Sequence, residues 1–128
     1  MTTLQSHPDG VDRPYAAAAV HHGVVYACGQ LSRSRDGSTP DRLTEQVDRT
    51  IDNLQAVLHQ AGSGLEQLLK LTVYLADLGE FDAYNEAYLR RMAGLPLPPR
   101  TTVQVAAFRG RTRIEIDAIA AVAGAGAS

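Results

Sequence analysis

Tryptophan is absent and cysteine occurs once, at Cys28, in a chain of 128 residues. A lone cysteine excludes an intrachain disulfide and a cysteine-based zinc cluster. No apolar run approaches the ~18 residues needed to cross a bilayer. The start, Met1 to His7, lacks the basic-then-apolar layout of a secretion signal. These absences point to a cytoplasmic protein with no membrane partner. An excess of positive charge is missing too: Lys and Arg number 12 against 14 Asp and Glu, for a net charge of -2. No overall field draws such a chain to nucleic acid or anionic lipid. Lysine is nearly absent, with Lys70 alone against eleven arginines, a bias that carries no functional message.

The remaining composition is that of a globular domain, 45% hydrophobic and 20% charged. This length suits one domain that buries about two-thirds of its unfolded surface. No internal repeat or linker divides it. Residues 1–12 read as a flexible lead-in, 13–123 as a single domain and 124–128 as a flexible tail.

Ala16–Val20 and Val24–Gln30 flank His21-His22-Gly23, the pattern of two short strands joined by a Gly-containing turn. Asp36-Gly37 marks a turn in the polar stretch Ser32–Ser38. Thr39 as cap and Pro40 at the first helical position predict a helix start, with Asp41 complementing the dipole. Leu43, Val47, Ile51, Leu54, Leu58 and Ala61 then draw one apolar stripe, ended by Gly62 and Gly64. Leu68–Leu75 carries one charge and reads as a buried, central strand. A second helix is expected from about Glu80 to Met92, with the stripe Phe81, Tyr84, Tyr88 and Met92. Leu95-Pro96-Leu97-Pro98-Pro99 cannot be helical, because each proline restricts the residue before it. Strands over Thr101–Ala107 and Arg113–Val122 follow. The order β-β, α, β, α, β-β predicts an α+β layer, a mostly antiparallel sheet with both helices on one face. Its other face then needs a cover, and a partner subunit supplies one.

The final two strands, read as a hairpin, hold the densest chemistry. Alternation sets Arg100, Thr102 and Gln104 opposite Val103 and Val105, and Glu115 and Asp117 opposite Ile114 and Ile116. Aligning the apolar sets predicts Arg100, Thr102, Glu115 and Asp117 on one surface. Such a group is either a solvated face of weak cross-strand ion pairs or a site. In the second case Arg100 is a fork for a carboxylate and a nearby Glu positions or deprotonates water.

At these residues the chain resembles the RidA (YjgF/UK114) family of enamine/imine deaminases, over roughly Arg13 to Val122. The resemblance rests on Arg13-Pro14-Tyr15-Ala16-Ala17-Ala18, Cys28-Gly29-Gln30 and Tyr84-Asn85-Glu86-Ala87-Tyr88. Its strongest parts are Pro98-Pro99-Arg100-Thr101-Thr102-Val103-Gln104-Val105 and Ile114-Glu115-Ile116-Asp117-Ala118-Ile119-Ala120. It implies a chorismate-mutase-like layer, a homotrimer with sites between subunits, and hydrolysis of 2-aminoacrylate-type enamines and imines to 2-oxo acids and ammonia without metal or organic cofactor. It also implies that Arg100 grips the substrate carboxylate and Glu115 orients water, with Tyr15, Gly29, Asn85 and Thr102 lining the site. The chain departs from the family pattern at Cys28, where serine is usual, at Thr102, where cysteine is common, and at Arg13, where glycine is common. Arg33 and Arg35 lie near the implied cleft. These departures leave open a pathway-specific enzyme on the same scaffold, acting on a bulkier or more anionic carboxylated imine, enamine or amide-like substrate. A non-catalytic binding or chaperone-like protein is the third reading.

Other features read more simply. His21 and His22 point to opposite sides of a strand and have no third ligand in their segment. Cys28 has no histidine base within the matched motifs and reads as a small buried thiol. The basic turn Arg109-Gly110-Arg111-Thr112-Arg113 raises the thought of RNA, since ribonuclease activity has been ascribed to some relatives. A solvated turn fits the acidic balance and sparse aromatics better.

Overall fold

His22 and Gly23 adopt left-handed backbone, with φ of 50° and 75°, and this reverses the chain within two residues. The computed structural model describes residues 1–124, and the turn joins β2 (Ala18–His21) to β3 (Val24–Leu31). An additional strand, β1 (Thr2–Gln5), pairs antiparallel with β2. It lies inside the expected lead-in, because the open edge of β2 offers hydrogen-bonding groups to any extended segment that reaches it. The expected tail lies outside the described residues, apart from Gly124.

Helix α1 (Leu43–Gln60) begins later than the Thr39-Pro40-Asp41 signal predicts. The carbonyls of Pro40 and Asp41 are engaged elsewhere, by Gln46 Nε2 at 2.9 Å and Arg113 Nη2 at 2.8 Å. The predicted stripe from Leu43 to Leu58 is buried. Gly62 (φ 81°) ends the helix: its N–H donates to His59 and that of Ser63 to Leu58, satisfying two terminal carbonyls. Strand β4 (Leu68–Leu75) and helix α2 (Phe81–Arg91) match expectation closely.

The last two strands, β5 (Arg100–Gln104) and β6 (Ile114–Ala121), do not form a hairpin. The six-stranded sheet runs β1-β2-β3-β6-β4-β5, with β4 between them. β5 pairs parallel to β4, while the other pairings are antiparallel. The β4–α2–β5 segment is a crossover unit, which parallel pairing requires. The chain from Val105 to Arg113 then passes the end of β4. Gln46 holds it there: its side-chain oxygen accepts from Arg113 N–H at 2.8 Å and from the buried Ser32 hydroxyl at 3.0 Å.

This topology overturns the predicted register. Val73 sits beside Thr102 on one side and Ile116 on the other, and Leu71 beside Arg100 and Ala118. Arg100 and Thr102 therefore face the helices together with the core, whereas Glu115 and Asp117 face away from it. Val103 is 39% exposed, so it does not join Ile114 and Ile116 in the core. Both helices cover one face, where Val25, Val73, Leu75, Ile114 and Ile116 are almost wholly buried. The opposite face is uncovered in the single chain and leaves Leu4 and Tyr26 exposed. Among the described residues, no helix is long and apolar enough to cross a membrane.

Candidate functional site

The predicted site residues fall into two groups, on the two faces of the sheet. The first lies between β5 and α2. Pro99, stiff in φ, presents its carbonyl to Leu71 N–H at 2.9 Å and so fixes the start of β5 where Arg100 emerges. The Arg100 guanidinium carbon lies 4.6, 5.2 and 5.8 Å from the ring centroids of Tyr88, Tyr84 and Phe81. Each is within cation–π range, and desolvated contacts of this kind are worth up to about 2 kcal/mol. The ring of Tyr84 is held in turn, its hydroxyl 2.8 Å from Thr102 Oγ1. Burial raises the pKa of both Tyr84 and Tyr88, so they stay neutral phenols against the cation. Arg100 Nη1 and Tyr88 Oη are buried without a hydrogen-bond partner. A buried donor on a cation is costly to leave unpaired, and an anion is the group that satisfies it. Asn85 is half-buried on α2, one turn from Phe81 and from Tyr88, and so borders this group.

The second group surrounds Glu115, whose carboxylate lies over the backbone of Gly29. A Cβ at Gly29 would stand 2.7 Å from Glu115 Cδ, so only glycine leaves room for the carboxylate in this position. Burial, and then the like charge of Asp117, raise the pKa of Glu115 above the usual carboxylate range. Asp117 accepts a hydrogen bond from the Tyr74 hydroxyl at 2.9 Å. Glu115 and Gly29 open onto a cavity of about 770 Å³ that Tyr15 and Cys28 also line. Tyr15 is exposed, and His7 Nε2 is 2.8 Å from its carbonyl oxygen. Burial is the largest influence on the Cys28 thiol and pushes its pKa up, which favours an inert thiol, while Gln30 Nε2 donates to its sulfur at 3.4 Å and acts in the opposite sense. Arg13 forms a two-pronged pair with Asp9, at 2.8 and 3.0 Å, beside the same cavity.

Arg100 and Thr102 are thus brought together around Tyr84, with Asn85 one helical turn from the cage rings, and Tyr15, Gly29 and Glu115 share one cavity, but within one chain the two sets do not meet. The expectation of Arg100 and Glu115 on one surface is corrected: β4 separates them, and in-register neighbours across it keep them on opposite faces. The aromatic cage of Arg100 is not legible in the sequence, where Phe81, Tyr84 and Tyr88 read as an apolar stripe, and Tyr84 and Tyr88 also as part of a family segment, with no link to Arg100. Its signal is the run of three rings in that stripe, two of them carrying hydroxyls. His21 is paired with Thr2 Oγ1 through Nδ1 at 2.7 Å. Among the described residues no three His, Cys, Asp or Glu side chains are grouped to hold a metal ion.

Residues 6–122 match the family model described as endoribonuclease L-PSP. The chain is 38% identical over 111 residues to protein mmf2, mitochondrial, of Schizosaccharomyces pombe, covering 84% of this chain and 87% of that protein. It is 36% identical over 109 residues to the 2-iminobutanoate/2-iminopropanoate deaminase of Mus musculus, covering 84% and 80%. Its fold is similar to the crystal structure of TdcF from E. coli with bound serine. The TM-score is 0.86 at 27% identity, covering 93% of this chain and 98% of that one.

Proposed function

Because the chain belongs to the RidA/YjgF family, whose family model is described as endoribonuclease L-PSP, we propose that it hydrolyses 2-imino acids and their enamine tautomers to 2-oxo acids and ammonia. Homologues named 2-iminobutanoate/2-iminopropanoate deaminase support imine deamination as the general activity. The observation that carries the reading to this chain is the caged Arg100, with one buried guanidinium nitrogen left for an anion.

In this reading Arg100 takes the substrate carboxylate in a fork, with Thr102 and Asn85 beside it. Protonation of the enamine at carbon gives an iminium. Water adds to C2 of the iminium while the Glu115 carboxylate accepts a proton from it. Glu115 then returns the proton to nitrogen, the C–N bond breaks with its electron pair leaving on ammonia, and the hydroxyl proton passes to the departing ammonia, which gives ammonium and the 2-oxo acid. No electron is gained or lost overall. Glu115 serves both transfers, and a pKa moved upward toward the working pH suits a group that must accept and then donate.

Arg100 and Glu115 lie on opposite faces of one sheet, so a site using both takes them from two copies. We therefore place the site between subunits of a homotrimer, with Arg100 and its cage from one copy and Glu115, Gly29 and Tyr15 from the next. The uncovered face of the sheet supports such an assembly.

A coupled assay tests the activity. An amino acid oxidase generates imino acids in place, and 2-oxo acid release is followed with and without the protein. Acceleration abolished in Arg100→Ala is expected. An Arg100→Ala variant as active as the parent would overturn the reading.

A further inference from the structure

Three arginines border the cavity over Glu115 and have no role in the mechanism above: Arg33, Arg35 and Arg109. All are exposed, and among the described residues none forms an ion pair. Their backbones are fixed. Asn53 of α1 donates from Nδ2 to the carbonyls of Leu31 and Arg33, both at 2.8 Å. The turn at Gly37 closes through Gly37 N–H to Ser34 O at 2.9 Å. Arg109 sits in the segment passing β4, which Gln46 and the Arg111–Asp41 ion pair secure.

The charge around this cavity is lopsided. Its acidic lining residues are Asp9 and Glu115, and Asp9 is already neutralised by Arg13. Among the described residues no ion pair joins Glu115 to Arg33, Arg35 or Arg109, so the three arginines are not its counter-ions. Cations at the rim of a partly enclosed cavity attract anions more strongly than the same cations on an open surface.

We propose that Arg33, Arg35 and Arg109 form a second anion subsite, which selects 2-imino acids bearing a side-chain carboxylate. The reacting carbon would sit at Glu115 with the distal carboxylate toward the rim. This inference rests on the deaminase reading for its substrate, but the subsite is testable separately.

The test compares imines generated in place from glutamate, alanine and leucine, in the parent and in a triple Arg33→Gln, Arg35→Gln, Arg109→Gln variant. Thermal melting first confirms that the variant is folded. The parent is expected to favour the glutamate-derived imine in kcat/KM, and the variant to lose about ten-fold on that substrate and less than about two-fold on the alanine-derived one. The preference should shrink as salt rises from 0.05 to 0.5 M (about 14 to about 4 Å of Debye length). Equal use of all three imines by the parent, or an equal loss on all three in the variant, would overturn the subsite. If the parent turns over no imine, the deaminase reading fails by itself. Calorimetric titration with glutarate and butanoate then decides the subsite: glutarate binding lost in the triple variant supports it, and no preference for glutarate overturns it.

Discussion

Glu115 works as a carboxylate in the proposed reaction, yet burial and Asp117 both disfavour that form. The acid limb of kcat/KM should therefore lie above the ordinary glutamate value of 4.5. Glu115→Gln should abolish that limb and lower kcat about 10²- to 10⁴-fold, read from a pH–rate profile. The stability effect has the opposite sense. A carboxyl whose folded pKa is raised binds its proton more tightly in the folded state, so at neutral pH its ionisation works against folding. Glu115→Gln should melt higher than the parent at pH 7, by a margin that shrinks as pH falls through the raised pKa. Arg100 gives a different signature. Arg100→Lys keeps the charge but loses the fork and the ring stacking, so KM for an imino acid should rise about ten-fold or more while kcat changes less, as steady-state kinetics would show. Both residues stood out in the sequence as a charged pair on alternating strands. Tyr84 and Tyr88 did not, because a ring in an apolar stripe looks the same whether it faces leucine or a guanidinium.

The elements themselves were largely legible. The α1 stripe, the α2 stripe and β4 follow from period and from flanking glycine and proline, since burial of one face imposes its spacing on the sequence. Pairing was not legible to the same degree. β5 and β6 are neighbours in sequence and both alternate, which suggests a hairpin. The competing signal was the strand–helix–strand run from Leu68 to Gln104, which makes β5 the parallel partner of β4. That single change turns Arg100 toward α2 and leaves Glu115 on the other face. The bulge between Ala27 and Gln30 in β3 carries the next consequence, because it brings the Gly29 backbone under the Glu115 carboxylate. The atoms a Cβ at Gly29 would strike belong to the end of a flexible side chain, not to backbone. Gly29→Ala should therefore fold with a melting temperature near that of the parent while losing about ten-fold or more in kcat/KM, as a 1 Å misplacement suffices for such a loss.

At the scale of the whole molecule, two groups proposed to act together yet set on opposite faces of a sheet make a specific forecast. Arg100→Ala and Glu115→Gln should each be nearly inactive, yet co-expressed they should regain activity. In a ring of three, about a quarter of the interfaces would join an intact Arg100 to an intact Glu115. Recovery toward that fraction in the coupled assay would support the shared site, and none would place both groups' work within one copy. Composition carried no hint of this division, since it depends on which face each strand presents.

The same separation bears on how catalysis answers to the amount of protein present. If, as proposed, no single copy holds a finished site, specific activity becomes a function of association by mass action. Dilution below the dissociation constant of the assembly should bend the plot of rate against protein concentration upward from linearity, and restoring the concentration should restore the rate. On that reading abundance sets more than the number of sites: below a threshold, the chains would be present but chemically silent.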